Sequence, residues 1–545
     1  MVLILSRSRV SLTSSLQLTF RASLHRHGRL FTSADTQRNQ ELKSVDDLPG
    51  PHSNLTGISL AKKFISDGLK LFVFKQKRAD RDQRNRILEA QVRNAQKFGP
   101  IFRTKYTGLR PVTNVKISNP SDVATVLRAE SRTPLRPDAP AREYYRKKTN
   151  KPVGLIFDNG PDWYKHRRGV NERMMKPKNV AEYDTAFSEI VTDFITRLEK
   201  LRGSHGLENE VPFLEKELFK WSFESVSRVL FDERFGSLED EVKPEVVEFI
   251  NSVYNFLVTS ADIDVQPVWL VKMYRTRMYK QFAESQDKLY EYTEKCIRRK
   301  LKEYEEKEKL SKEGQNQSNK MEFFEYLASK SEMTYEDLLA TYVDIYFAGV
   351  DTTAASILWV LYQLAKNQDK QLKLHQEIST VLKPGEIATA KSLPEMPYLK
   401  ACIKEVLRMY AVFYLHRLTE QDLVLSGYKI PAGTQVMILT HAMGMSEQYF
   451  TDPSSFKPER WLRDHRRPPA GSSENVDAFA SLPFGFGTRM CVGRRISELE
   501  QYLLLARIVQ HYQIFYPIDE TAERTTHGVV IIPDRPLRIQ FVKRG

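Results

Sequence analysis

The sequence predicts a mainly α-helical fold carrying small β-sheets, built as one large domain. Three observations predict it. An apolar pattern free of proline runs from Tyr335 to Asn367, strand signals are short and cluster late in the chain, and 24 glycines and 26 prolines in 545 residues are too few for a linker-rich array. With 41% hydrophobic and 28% charged residues the chain closes a large core, which excludes wholesale disorder. Its 83 basic against 69 acidic residues give a formal charge of +14, a basic globular protein rather than a nucleic-acid-coating tail. Three cysteines, Cys296, Cys402 and Cys491, cannot form a disulfide framework in so long a chain, which points to a reducing compartment.

Residues 1–34 read as a targeting segment. Asp and Glu are absent from Met1 to Ala34, while Arg7, Arg9, Arg21, Arg26 and Arg29 lie among serines and threonines, the composition of a mitochondrial transit peptide. The longest uncharged run, Val10 to Phe20, is too short and polar to cross a bilayer, which takes roughly 20 apolar residues. Residues 35–51 are expected to be a linker closing on the stiff turn Leu48-Pro49-Gly50-Pro51, and residues 52–545 the folded domain.

Within that domain most stretches read as helices with charged outer faces. Tyr335 to Asn367 is the longest, predicted as a helix crossing the whole body. Leu423–Leu425, Tyr428–Ile430 and Thr434–Leu439 are expected as a small meander, and Val529–Ile532 with Leu537–Phe541 as a hairpin. Arg298 to Lys320 reads as a solvated helix end and loop. Pro267 to Val271, flanked by Lys272 and Arg275, reads either as a monotopic membrane contact or as a core-facing helix end.

The ten residues Phe484-Gly485-Phe486-Gly487-Thr488-Arg489-Met490-Cys491-Val492-Gly493 carry the chemistry. Glycines around one thiol let the backbone turn tightly and aim N–H groups at the sulfur, which favours a thiolate. The pattern Phe-x-x-Gly-x-Arg-x-Cys-x-Gly resembles the haem-binding signature of the cytochrome P-450 family. Glu405 and Arg408, three apart on a predicted helix, resemble the family's Glu-x-x-Arg pair, and Arg460 its third ionic partner. Trp163 and Arg167 resemble its Trp-x-x-x-Arg helix. Ala348-Gly349-Val350-Asp351-Thr352-Thr353 resembles the oxygen-side segment of its long helix.

That resemblance implies a haem b cofactor with Cys491 as axial ligand and Phe484 beside it. It implies that Trp163, Arg167, Arg417 and Arg489 meet the haem propionates, and that Asp351 and Thr352 pass protons towards bound dioxygen. Gly349 is expected to weaken the long helix, with Thr352 bonding back to the Ala348 carbonyl, so that a break opens a groove over the iron. Gly493-Arg494-Arg495 looks like the mitochondrial branch, and Lys400 and Lys404 match its docking lysines for a 2Fe-2S ferredoxin reduced by an NADPH-dependent reductase. The implied activity is hydroxylation of a steroid, sterol-derived hormone or related lipid, at the matrix side of the inner membrane. Ala411 departs from the family's usual proline. His416, Cys296 and Cys402 are read as structural, with no ligand spacing. Two rivals stand beside this reading: a haem-thiolate isomerase needing no external electrons, and a non-catalytic haem- or lipid-binding protein.

Overall fold

The structure is a computed structural model and describes residues 42–51, 81–106, 112–137, 139–204, 208–264, 271–272, 276–312, 321–330, 332–383, 385–410, 414–462, 477–517, 519–527 and 530–544. The targeting segment, most of Pro267–Val271, Ala411 and the end of Arg298–Lys320 lie outside the described residues.

Helices dominate, with four small sheets at their edges, as the sequence predicts. Eight helices position the site: α1 (Gly160–Met175), α2 (Leu214–Phe231), α3 (Pro244–Asp264), α4 (Arg277–Lys312), α5 (Tyr335–Lys366), α6 (Gln368–Val381), α7 (Pro397–Tyr410) and α8 (Arg494–His511). α5 has 32 residues and therefore spans about 48 Å. It starts at a capping box, in which Thr334 Oγ1 accepts from Asp337 N at 3.2 Å and Asp337 Oδ2 accepts from Thr334 N at 2.8 Å. Its apolar length is enough to cross a membrane, yet most of that surface is buried within the protein. Aromatic rings fasten α5 to its neighbours: Tyr346 lies 5.6 Å from Phe223 of α2 and 4.9 Å from Phe249 of α3, and its hydroxyl donates to Ser227 Oγ at 3.0 Å. At the other end the Trp359 indole stacks on Tyr410 of α7 at 3.9 Å and donates to the Ile531 carbonyl at 2.9 Å.

The sheets correct three expectations. Leu423–Leu425 and Tyr428–Ile430 pair antiparallel as expected, but Gln435–Ile438 leaves that meander and joins another sheet. There it lies parallel to Val112–Ile117 and antiparallel to Leu415–Leu418. Val530–Pro533 pairs with Arg524–His527, and Gln540–Lys543 pairs with Tyr512–Phe515, so the expected hairpin between them does not form. Pro533 and Pro536 lack the N–H donors such a ladder would need. Finally, Lys43–Ser44, expected in the linker, pairs parallel with Tyr428–Lys429. Gly50 then lies so close to the Arg103 carbonyl that a Cβ would meet its oxygen at 2.0 Å, and Arg103 N donates to the Pro49 carbonyl at 2.9 Å.

The predicted ionic network forms at the C-terminal part of α7. Glu405, with a fully buried side chain, accepts from Arg408 Nε at 3.0 Å, Arg408 Nη2 at 2.7 Å and Arg460 Nε at 3.0 Å. Two further donors escaped the sequence reading, Trp461 Nε1 at 2.8 Å and the Lys457 backbone N–H at 3.1 Å. Arg408 also donates to the Gly444 carbonyl. A Cβ at Gly444 would meet the Arg408 carbonyl at 2.5 Å, so only glycine fits this approach. Trp461 packs with Phe450 and Ala480, and Ala480 stands four residues before Phe484. The network thus braces the run into the cysteine loop.

Glu405→Ala leaves the buried Arg408 guanidinium without its counter-charge and is expected to lower stability by about 3–5 kcal/mol in urea unfolding. A loss below about 1 kcal/mol would show that the network is not desolvated as described.

Candidate active site

The cysteine loop is shaped by two glycines in the left-handed region, Gly485 at φ 71° and Gly487 at φ 74°, where a side chain would strain the backbone. The loop closes where Cys491 N donates to the Phe484 carbonyl at 2.8 Å. α8 starts immediately afterwards, with Gly493 as its N-cap. Backbone N–H groups of Gly493 and Arg494 are therefore aimed at the Cys491 sulfur. Protein surrounds the thiol and burial pushes its pKa up, while those N–H groups and the Arg167 and Arg136 guanidiniums pull it down. The side chain nevertheless keeps accessible surface. Both facts hold for a sulfur on the wall of an internal cleft. Neither a core cysteine nor a surface one combines them. Cys402 is the contrast, fully buried with its thiol pKa raised by burial, and Cys296 is pushed up to about 11 for the same reason.

α5 supplies another wall. It is buried almost all round, except for a line at helical spacing: Ala348 is exposed, and Thr352 and Ser356 are half-buried. Thr352 Oγ1 donates to the Ala348 carbonyl at 2.7 Å, and Ser356 Oγ donates to the Thr352 carbonyl at 2.7 Å. Asp351 is buried beside them at 7% exposure. The expected break is absent. α5 is continuous through Gly349, and the glycine serves close packing instead, since a Cβ there would meet Val226 of α2 at 3.0 Å. Its carbonyl accepts from Ser222 Oγ at 3.4 Å. The cysteine and this open line are tied through one crossing, where Thr353 Oγ1 and Ser497 Oγ of α8 lie 3.0 Å apart. Ser497 is six residues beyond Cys491, in the first turn of α8.

Above this line an aromatic roof forms. Phe347 lies 4.6 Å from Phe256 of α3 and 6.2 Å from Phe157, and the Arg142 guanidinium sits 4.5 Å over the Phe157 ring. The segment from Thr133 to Gly160 thus reaches this roof through Phe157.

Guanidiniums gather at the mouth of the cysteine loop. Arg489 lies 4.0 Å over the Trp163 indole, which is 1% exposed. Its Nε donates to the Pro134 carbonyl at 2.9 Å, and its Nη2 to the Asp158 carbonyl at 2.6 Å and Asn159 Oδ1 at 2.9 Å. Arg167 Nη1 donates to the Met490 carbonyl at 2.7 Å. Arg417 is bonded to Glu130 and, through Nη1, to the His416 carbonyl at 2.9 Å. A fourth cation, Arg136, was not marked by any motif. It joins the cluster because Asn159 grips its backbone on both sides: Arg136 N donates to Asn159 Oδ1 at 2.9 Å, and Asn159 Nδ2 to the Arg136 carbonyl at 3.1 Å.

Burial, then their mutual repulsion, pulls the pKa of Arg489 down to about 8 and that of Arg136 to about 10; burial alone pulls Arg167 to about 10. Glu130 and Asp158 are the carboxylates that offset Arg489, so the four cations exceed these two anions by two. Arg489 Nη1 and Arg167 Nε are buried with no hydrogen-bond partner among the described residues. Buried donors without acceptors, in a cluster where cations outnumber anions, fit the two carboxylates of haem b, as the exposed sulfur fits its iron. Among the described residues no other group of His, Cys, Asp and Glu is arranged to hold a metal ion. His416, half-buried, is pushed to about 4 by burial and by Lys116, Arg136 and Arg417, so it is neutral at pH 7.

On the outer side of the loop, Arg494 and Arg495 are exposed at the start of α8 and Lys404 is exposed on α7, its Nζ 4.1 Å over the Trp461 ring. Arg494 Nε donates to Glu498 Oε1 at 3.0 Å and its guanidinium lies 5.5 Å over Phe484. Burial lowers the pKa of Lys400, which Glu377 and Glu498 partly restore. Glu498 thus stands near both Lys400 of α7 and Arg494 of α8.

Known proteins resemble this chain over most of its length. The chain is 31% identical over 528 residues to the mitochondrial 1,25-dihydroxyvitamin D(3) 24-hydroxylase of Rattus norvegicus, covering 97% of this chain and 95% of that protein. It is 29% identical over 525 residues to the mitochondrial sterol 26-hydroxylase of Rattus norvegicus, covering 96% and 93%. It is 32% identical over 458 residues to the mitochondrial cholesterol side-chain cleavage enzyme of Capra hircus, covering 84% of each. The crystal structure of the cytochrome P450DA heme domain has the same fold, with a TM-score of 0.69 at 19% identity over 85% of this chain and 94% of that one. A model of the cytochrome P450 family matches residues 69–541, from before α1 to the last strand, and the chain accordingly belongs to that family of haem-thiolate monooxygenases.

Proposed function

We propose that this monooxygenase works in the mitochondrion and hydroxylates a lipid of the steroid, sterol-derived or related class. Its electrons come from NADPH through a ferredoxin reductase and a 2Fe-2S ferredoxin. The observation that carries the reading is the enclosed yet accessible Cys491 sulfur at the head of α8, tied through Ser497 and Thr353 to the open line of α5. The three relatives support the substrate class by what their names say they act on, and each is named as mitochondrial.

In this reading Cys491 holds the iron, and Arg136, Arg167 and Arg489 take the propionates, with Arg417 and Trp163 holding that cluster in place. Haem b supplies the iron on which dioxygen is activated. The N–H groups of Gly493 and Arg494 stabilise the anionic sulfur and set how much electron density it donates. The Thr352 hydroxyl, able to turn from the Ala348 carbonyl, holds a proton at the oxygen side, with the Asp351 carboxyl behind it. The Phe157–Phe347–Phe256 roof excludes water and favours an apolar substrate. Lys400, Lys404, Arg494 and Arg495 draw an acidic ferredoxin to the outer face of the loop, an attraction that weakens with salt. In this reading the protein also meets the inner membrane from the matrix side; Val271, the last residue of the segment read either as a membrane contact or as a core-facing helix end, is fully buried.

The test is a reconstituted assay with ferredoxin, its reductase and NADPH against a panel of sterols and steroids. Oxygen consumption that depends on both a lipid and ferredoxin is expected. Turnover without ferredoxin would favour the isomerase, and lipid binding without oxygen uptake a carrier. Cys491→Ser is expected to abolish the thiolate-type spectrum of the reduced carbonyl complex; an unchanged spectrum moves the ligand elsewhere. Thr352→Ala is expected to divert electrons to peroxide, with product per NADPH falling. Unchanged coupling removes Thr352 from the proton path.

A further inference from the structure

Nine residues beyond Cys491, α8 carries a carboxylic acid in the protein interior. Glu500 is 2% exposed, and the groups its carboxyl faces are the hydroxyls of Thr353 on α5 and Ser225 on α2. No charged side chain acts on it among the described residues. Burial pushes its pKa up to about 8, the two hydroxyls drawing it partly back, so the acid is mainly neutral at pH 7. It belongs to a polar seam through an otherwise apolar three-helix crossing. Thr353 Oγ1 lies 3.0 Å from Ser497 Oγ, Gln501 Nε2 donates to Ser497 Oγ at 2.8 Å, and Ser222 donates to the Gly349 carbonyl at 3.4 Å. Two acceptors in the seam, Glu500 Oε2 and Gln501 Oε1, have no hydrogen-bond partner among the described residues, and both residues are at most 2% exposed.

Such a seam is unfavourable for stability, since apolar side chains of similar volume would pack without unsatisfied groups. What it supplies is register. Apolar surfaces slide over one another, whereas directional bonds hold one helix at one height and rotation against the next. The two helices it joins are the one that begins at the cysteine loop and the one that carries Thr352. We propose that Glu500 is a positioning residue: through Thr353 it fixes how α5 crosses α8, and so where Thr352 stands relative to Cys491. The proposal rests on the reading of Cys491 and Thr352 given above.

The test uses the full-length, haem-loaded enzyme with Glu500→Gln, Glu500→Leu and Thr353→Val. The wild type is expected to show the infrared carbonyl stretch of a protonated carboxyl that Glu500→Gln lacks. Because the folded pKa lies above the unfolded one, folding takes up a proton here. Wild-type stability therefore contains a component that falls as pH rises from the ordinary carboxylate range to about 8, and Glu500→Gln is expected to lose that slope. Glu500→Gln should keep product per electron near the wild-type value. Glu500→Leu should release several-fold more peroxide while keeping the thiolate-type spectrum of the reduced carbonyl complex. If the leucine variant does not fold, Thr353→Val, which leaves Glu500 in place, should show the same rise in peroxide. Unchanged coupling in Glu500→Leu or Thr353→Val, or failure of Glu500→Gln to retain coupling, overturns the positioning role. A wild type with no thiolate-type spectrum would overturn the cysteine reading instead, so the two failures are distinguishable.

Discussion

The architecture answers to one requirement, an anionic sulfur kept inside a protein. Enclosure raises the thiol's pKa, and everything within reach of Cys491 opposes that rise: the N–H groups of Gly493 and Arg494 at the head of α8, then Arg167 and Arg136. Those donors reach the sulfur only because the loop doubles back at Gly485 and Gly487 and is pinned by the Cys491 N to Phe484 O bond. The loop keeps its path because Trp461, Phe450 and Ala480 pack beneath its approach, held by the five donors on Glu405. Stability and chemistry are thus linked through one stretch of chain.

The guanidinium cluster shows the same economy. Four cations in a poorly hydrated site repel one another, and Glu130 with Asp158 offsets only part of their charge. A fold that retains this arrangement stores affinity for a dianion rather than stability of its own. The Trp163 face beneath Arg489 and the Pro134, Asp158, Asn159 and Met490 oxygens around the cluster hold the guanidiniums in orientation before any partner arrives.

Much of this was legible in the sequence because it is local. The cysteine loop, the Glu405–Arg408 spacing and the Thr352 bond to Ala348 all lie within a few consecutive residues, where backbone geometry dictates the outcome. What was not legible depends on distant partners. Gln435–Ile438 reads as the third strand of a meander, yet its ladder partner is Val112–Ile117, more than three hundred residues earlier. Arg136 has no motif; only the return of Asn159 beside it brings it to the cluster. Gly349 was expected to open α5, but the close approach of Val226, invisible in the local sequence, uses the missing side chain for packing. Val529–Ile532 and Leu537–Phe541 were expected to pair with each other, whereas the strands formed there, Val530–Pro533 and Gln540–Lys543, pair with Arg524–His527 and Tyr512–Phe515.

The pairing of Lys43–Ser44 with Tyr428–Lys429 has a bearing on the order of assembly. Its two halves are separated by nearly four hundred residues, so closing that loop before the helices are in place would carry a large entropic penalty for two residues of ladder. A chain delivered from its amino end presents this strand before any other described element and leaves it waiting until the last quarter has arrived. The strand is therefore a latch, fastened only after the cleft behind it has been built.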